Sequence, residues 1–200
     1  MTFVLATDNQ GKIKEMKEIL TKSGVDVLTR KDLGIVVDVE ETGTTFEENA
    51  LIKAKAICEL SGMPAIADDS GLCIDALGGA PGLYSSSFGG NDLDDEERCG
   101  FLLKKLYNVK QRSAKFVSTI VCVFPDGRMI KALGECCGDI ATERKGSNGF
   151  GYDPVFIATG SDRTLAQIPP EEKNAISHRG KALKEFSRLL ADISIDPSGE

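Results

Sequence analysis

No apolar run in these 200 residues approaches the ~18 residues that a membrane span needs. Residues 1–3 lead straight into a β-type run, not into a secretory leader, so a cytoplasmic protein is expected. The paired C-x-x-C spacing of a zinc site is also missing. The six cysteines, Cys58, Cys73, Cys99, Cys122, Cys136 and Cys137, are instead scattered through apolar segments, as buried small hydrophobes are in a reducing compartment. Positive charge is short: 24 Lys and Arg against 31 Asp and Glu leave a net −7, which argues against binding nucleic acid through its phosphate backbone. A small phosphorylated ligand held by a few basic residues remains open. Histidine occurs once, at His178, and there is no repeat or low-complexity segment. The length suits one domain, or one domain with a small lobe.

The most concentrated polar chemistry lies in Ala65-Ile66-Ala67-Asp68-Asp69-Ser70-Gly71-Leu72. An apolar run reads as a strand of a covered sheet, and the polar cluster is expected where that strand ends, at the rim where open α/β sheets bind ligands. Adjacent carboxylates on an extended backbone point to opposite faces, so one faces the ligand and the other supports it. Hard oxygens in a cleft suit Mg²⁺, and an ionised Asp can orient or deprotonate a water. An ordinary turn is the plain alternative for Asp-Asp-Ser-Gly.

Toward the N-terminus, residues 2–7 form a β-type run and residues 12–20 carry Ile13, Met16, Ile19 and Leu20 at helical spacing. The loop between them, with Gly11 and Lys12 at a helix start, is a plausible anion cradle, against which Asp8 works. Residues 25–29 and 35–39 read as two further strands, the second running into Glu40-Glu41. Thr45 and Glu48 have capping-box spacing at the head of a helix that buries Phe46, Ala50, Ala54 and Ile57 and stops at Gly62. Lys53 projects from another face. Residues 68–71 are expected at a bend between two β segments. The Gly- and Pro-rich stretch 76–85 is expected close to the site or under a partner subunit. Residues 94–106 read as a helix, and 116–133 as a hairpin continuing toward residue 142.

Glycines flank Phe150 in residues 145–156, leaving its ring open to stack on a flat ligand. Asp153, held extended before Pro154, can accept hydrogen bonds from ring N–H groups; a glycine-rich turn with Phe150 tucked into the core is the alternative. The last helix is expected over residues 177–193 with Ala182, Leu183, Phe186 and Leu190 inward, and residues 194–200 as a frayed tail. His178 and Arg179 at its start suit an anion or a carbonyl oxygen.

Several stretches resemble, in order, the inosine triphosphate pyrophosphatase or Ham1-like family. These are Thr7-Asp8-Asn9-Gln10-Gly11-Lys12, Glu41-Thr42-Gly43, Phe46-Glu47-Glu48-Asn49-Ala50, Ala67-Asp68-Asp69-Ser70-Gly71, Leu77-Gly78-Gly79-Ala80-Pro81-Gly82, Phe150-Gly151-Tyr152-Asp153-Pro154 and Ser177-His178-Arg179. The resemblance implies an α/β fold, a long bent mixed sheet flanked by helices with two lobes around a central cleft, in a single domain over 1–200 that usually forms a homodimer. It implies Mg²⁺-dependent hydrolysis of ITP, dITP and XTP to the monophosphate and pyrophosphate. Carried over by position, Thr7, Asp8, Asn9, Gln10, Gly11 and Lys12 form the phosphate loop, and Lys53 also reaches the triphosphate. Asp69 is the catalytic carboxylate and metal ligand, with Glu40 or Glu41 as the other acid and Ser70 in substrate contact. Phe150, Gly151, Tyr152, Asp153, Lys173, His178 and Arg179 form the base and sugar pocket, where donors from His178 and Arg179 meet the 6-oxo group. Asp8 departs from the glycine common in the family and would repel phosphates unless it points away or caps the helix. Rival readings are a pyrophosphatase for other modified nucleotides and a non-hydrolysing purine nucleotide sensor.

Overall fold

The computed structural model describes residues 1–195. The regular elements, in chain order, are β1 (Thr2–Leu5), α1 (Gln10–Lys22), β2 (Asp26–Thr29), α2 (Phe46–Ser61), β3 (Ala65–Ile74), α3 (Asp95–Lys105), β4 (Ser113–Val123), β5 (Met129–Ile140), β6 (Phe156–Ala158), α4 (Pro170–Ile176) and α5 (His178–Ile195). The six strands form one mixed sheet in the order β2-β1-β3-β4-β5-β6, with β1 parallel to both β2 and β3 and β6 antiparallel to β5. Contacts divide the chain into two compact units. The first holds Met1–Asp69, Ser118–Gly134 and the C-terminal segment from Arg179; the second holds Ser70–Val117 and Glu135–His178.

Strand alternation builds the first unit. Phe3 and Leu5 of β1, Ile66 of β3 and Ile120 and Cys122 of β4 pack on Met16 and Leu20 of α1 and on Ala182, Leu183 and Phe186 of α5. The intervening Val4, Ala65, Ala67, Val121 and Val123 pack on Ala50, Ala54 and Ile57 of α2. A period of two thus gives the sheet one face for α1 and α5 and the other for α2. In the second unit a separate core gathers Leu72, Ile74, Phe116, Tyr152, Phe156 and Ile168.

The helix ends follow the expected chemistry, with one difference. Thr45 accepts a hydrogen bond from the Glu48 N–H, and Gly62 closes α2 in the left-handed region at φ 64°. The Glu48 carboxylate does not complete the box on Thr45; it takes the N–H and hydroxyl of Thr44 instead.

Three expectations need correction. Residues 35–39 are not a strand: Val36 is 97% exposed, so the alternation that suggested one has no sheet to pair with. Residues 68–71 are not a bend but the middle of the ten-residue strand β3, because the polar side chains there find partners inside the fold. Asp153 is not extended; it opens a 3₁₀ turn, Asp153–Val155. Of the expected tail, Ser194 and Ile195 continue α5, and the rest lies outside the described residues. All six cysteines are free, and Cys137 is exposed rather than buried.

Gly138 of β5 pairs with Ala158 of β6, and a Cβ there would lie 2.1 Å from the Ile157 carbonyl oxygen. The substitution Gly138→Ala is therefore expected to cost about 2–3 kcal/mol and to lower Tm by roughly 5–10 °C in calorimetry.

Candidate active site

Because β3 is continuous, Asp68 follows Ile66 onto the α1/α5 face and Asp69 follows Ala65 and Ala67 onto the α2 face. The two neighbouring carboxylates consequently meet different helices. Asp68 is 1% exposed. It pairs with Lys12 Nζ of α1 at 2.8 Å and with an Arg179 guanidinium nitrogen of α5 at 3.1 Å, and it accepts the Ser118 hydroxyl of β4. Arg179 reaches Glu15 of α1 through its other terminal nitrogen at 2.5 Å. Burial alone would raise the Asp68 pKa, but the charges of Arg179 and Lys12 and the hydrogen bonds from Lys12 and Ser118 hold it well below 3.8.

On the opposite face the Lys53 ammonium of α2 lies 2.8 Å from Asp69 Oδ1 and 3.1 Å from Glu41 Oε1. One cation thus bridges two carboxylates. Burial works against the Lys53 charge, but Asp69 and Glu41 outweigh it and raise the pKa. Asp69 moves the other way from Asp68: burial raises its carboxyl above 3.8 and the Glu41 charge adds to this, with Lys53 and Lys12 opposing. Glu41 rather than Glu40 makes the ion pair with Lys53.

The loop between β1 and α1 holds the remaining groups. Asn9 caps α1, its side chain accepting the Lys12 N–H at 3.0 Å. The Asn9 N–H donates to the Thr7 hydroxyl, and the Gln10 side chain donates to the Asp8 carbonyl. Asp8 itself is not the cap. Its carboxylate pairs with Arg30, which follows β2.

In the second unit, Asp153 accepts the Phe150 N–H at 2.9 Å and pairs with the buried Lys173, whose ammonium sits 5.0 Å from the Phe150 ring centre. A Cβ on Gly149 would lie 2.0 Å from Asp153 Oδ2, so the glycine is what lets the loop close on that carboxylate. The Gly151 N–H donates to Asp95 of α3. The Tyr152 hydroxyl donates to the Ser85 carbonyl. His178 is buried and stacks on Phe116 at 4.6 Å between ring centres.

Of the Phe150 ring, expected to stack on a flat ligand, one face is met by the Lys173 ammonium. Arg179 has a structural task the sequence reading did not foresee: its terminal nitrogens bind Glu15 and Asp68. Glu15, Ser118, Arg30 and Asp95 escaped the sequence reading. Ser118 was reachable, as the polar residue in the inward series Phe116, Ile120, Cys122, whereas Glu15 carried only its three-residue spacing from Lys12.

An α/β protein with a lysine in the first turn of its first helix and adjacent carboxylates on one strand has the parts of a phosphate-handling enzyme. A model of the Ham1 family matches residues 3–189, and the chain belongs to that family. The dITP/XTP pyrophosphatase of Haemophilus influenzae is 51% identical over 191 residues, 94% of this chain and 97% of that protein. That of Bacillus subtilis is 44% identical over 189 residues, 94% and 96% of the two chains. The solved structure of a HAM1 protein from Coxiella burnetii superposes with a TM-score of 0.86 at 42% identity, over 96% of this chain and 99% of that one.

Removing the Asp68 charge leaves Arg179 and Lys12 without their counter-ion, so Asp68→Asn is expected to destabilise the fold by about 3–5 kcal/mol in urea unfolding at pH 7. Folding lowers the Asp68 pKa, so its contribution is fully present above 3.8 and is lost as the pH falls through the lower folded value. The gap between wild type and Asp68→Asn should accordingly narrow in acid.

Proposed function

We propose that this protein hydrolyses the deaminated purine nucleoside triphosphates ITP, dITP and XTP to the monophosphate and pyrophosphate. The observation that carries the reading is the Lys53 ammonium held between Asp69 and Glu41: two carboxylates converge on one cation, as they would on a metal ion bridging a triphosphate. Membership of the Ham1 family and the dITP/XTP pyrophosphatase relatives support it.

Among the described residues no three His, Cys, Asp or Glu side chains gather as a metal cage. Two carboxylates suit Mg²⁺, which is commonly held by one or two acids together with substrate phosphates and waters. Asp69 and Glu41 are the residues that would hold it, and when bound it neutralises phosphate charge and polarises the scissile linkage. Thr7, Asn9 and Lys12 bind the phosphates with the first amides of α1, and Lys53 turns from the carboxylates to the triphosphate. Asp69 is the better base of the pair, since its pKa is raised and Asp68 is saturated by cations and a hydroxyl. It takes a proton from a water as that oxygen bonds to the α-phosphorus, and the α–β bridging bond breaks with its electrons on pyrophosphate. Lys12 and Lys53 balance the leaving charge. Ser70, next to Asp69, contacts the substrate.

For the base, Phe150, Gly151, Tyr152, Asp153, Lys173 and His178 supply a ring, a carboxylate and donors. A 6-oxo purine accepts from such donors, whereas adenine presents an amino group and leaves them unpaired, a penalty that selects against it. Arg179, which holds Asp68, is proposed as a further donor to the base. The protein is further proposed to work in the cytoplasm as a homodimer, a reading supported by the resemblance and by Tyr84, 73% exposed in the Gly- and Pro-rich stretch. Sedimentation equilibrium is expected to give twice the chain mass; the chain mass alone would count against it.

The decisive assay is pyrophosphate release from ITP, XTP, ATP and GTP with Mg²⁺ and with EDTA. Metal-dependent release from ITP and XTP well above ATP and GTP is expected; orthophosphate release would overturn the cleavage position, and binding without turnover would favour a sensor. Asp69→Asn should lower kcat roughly a thousandfold, and Glu41→Gln should cost at least tenfold more than Glu40→Gln. Because burial raises the Asp69 pKa, its carboxyl in the metal-free protein is expected to titrate above the ordinary carboxylate value of 3.8 when followed by carboxyl NMR in EDTA, and the resonance should be missing from Asp69→Asn.

A further inference from the structure

Asp8 poses a physical problem. It stands one residue before the cap of α1, whose first turn holds no acid of its own, so the positive end of the helix dipole faces a loop that already contains a carboxylate. A fixed negative charge there competes with any phosphate for the same helix amides. The fold answers it with Arg30. The parallel register pairs Leu5 of β1 with Thr29 of β2, which brings the residue after β2 level with the residues that enter the loop. Arg30 then takes Asp8 with two nitrogens, Nε on one carboxylate oxygen at 2.7 Å and a terminal nitrogen on the other. Its remaining terminal nitrogen donates to the Val37 carbonyl at 2.8 Å.

Val37 belongs to the irregular segment that leads to Glu41, and Glu41 is the acid that shares Lys53 with Asp69. A single guanidinium therefore joins the loop carrying Thr7 and Asn9 to the segment carrying Glu41. We propose that Arg30 is a positioning residue for triphosphate binding, which cancels the Asp8 charge and fixes the phosphate loop against the Glu41 segment. The proposal rests on the phosphate-loop reading given above. It explains how this chain carries an aspartate in a loop that must receive an anion: the acid and the arginine act as one neutral unit, and either alone leaves an unbalanced charge. Planar, two-pronged pairing is a property of arginine that lysine does not reproduce.

The test is a cycle of Arg30→Met, Asp8→Asn and the double variant, read by calorimetric titration with inorganic tripolyphosphate in EDTA and by the KM and kcat for ITP with Mg²⁺. Exposing the Asp8 charge is expected to weaken tripolyphosphate binding and raise KM about tenfold in Arg30→Met, with kcat changed less than about threefold. Rising salt should shrink that defect, since screening relieves repulsion. The double variant is expected to bind within about threefold of wild type, because the uncharged amide in place of the carboxylate no longer needs a counter-ion. A double variant as poor as Arg30→Met, or an Arg30→Met enzyme that binds as wild type does, overturns the proposal. Thermal unfolding of each variant separates the alternatives: if binding follows Tm and not charge, Arg30 is merely structural. Failure of the wild type to bind tripolyphosphate would overturn the phosphate-loop reading itself, and with it this proposal.

Discussion

The buried charge of Asp68 is the constraint on which the first unit depends. A carboxylate so fully withdrawn from water is tolerated only when cations and hydrogen bonds replace its hydration. The replacements come from far apart in sequence: Lys12 from α1, Ser118 from β4 and Arg179 from the first turn of α5. Glu15 then balances the second terminal nitrogen of Arg179. Such a network can be neutral in net stability against an apolar core of the same shape, yet it admits few alternative geometries, because any misplaced partner leaves a bare charge in the interior. Its consequence lies at Lys12, whose ammonium is fixed in the first turn of α1, beside the proposed phosphate loop, by a carboxylate held ionised.

Strand periodicity then separates the two neighbouring acids. On a twofold-repeating backbone Asp68 and Asp69 cannot share an environment, and their pKa values move in opposite directions for that reason. Asp68, enclosed by Arg179, Lys12 and Ser118, is held ionised. Asp69, on the α2 face with Glu41 beside it, is pushed upward by burial. One acid is suited to holding cations in place and the other to exchanging a proton. The division of labour follows from adjacency in the strand and from nothing more elaborate.

Local signals in the sequence were faithful where one element decides the outcome. The capped start of α2, its glycine stop, the hairpin of β4 and β5 and the opposite-facing acids all follow from neighbours within a few residues. What failed depended on distant partners. The apolar run at 35–39 lacked a neighbouring strand, and Asp-Asp-Ser-Gly looked like a turn because the residues that let it stay extended, Lys12, Ser118 and Arg179, lie 50 or more positions away in hydrogen-bonded partnership. Arg179 was read for the base alone, and its task of holding Asp68 went unseen for the same reason. Its carboxylate partners are invisible without the fold. The roles proposed for individual site residues rest on family position, and the geometry refines them chiefly at Glu41, Arg179 and Asp8.

The balance of charge across the first unit finally bears on the proposal that a metal takes part in the reaction. The ion pairs around the phosphate loop and β3 involve four cations, Lys12, Arg30, Lys53 and Arg179, against five carboxylates, Asp8, Glu15, Glu41, Asp68 and Asp69. Without ligand, then, the cations are already committed, and the group as a whole carries a surplus of negative charge. A triphosphate entering such a site competes with these carboxylates for the lysines, and binds more tightly the more readily they are released. Were a divalent cation held by Asp69 and Glu41, as proposed above, it would supply the positive charge that Lys53 now gives both carboxylates, and the ammonium would be available to phosphates. No such exchange is proposed for Arg179 or Arg30, whose carboxylates lie outside the Asp69 and Glu41 pair. On this reasoning the proposed metal would add its own charge and leave Lys53 to the phosphates, while the Asp8–Arg30 pair adds no net charge to the loop before α1.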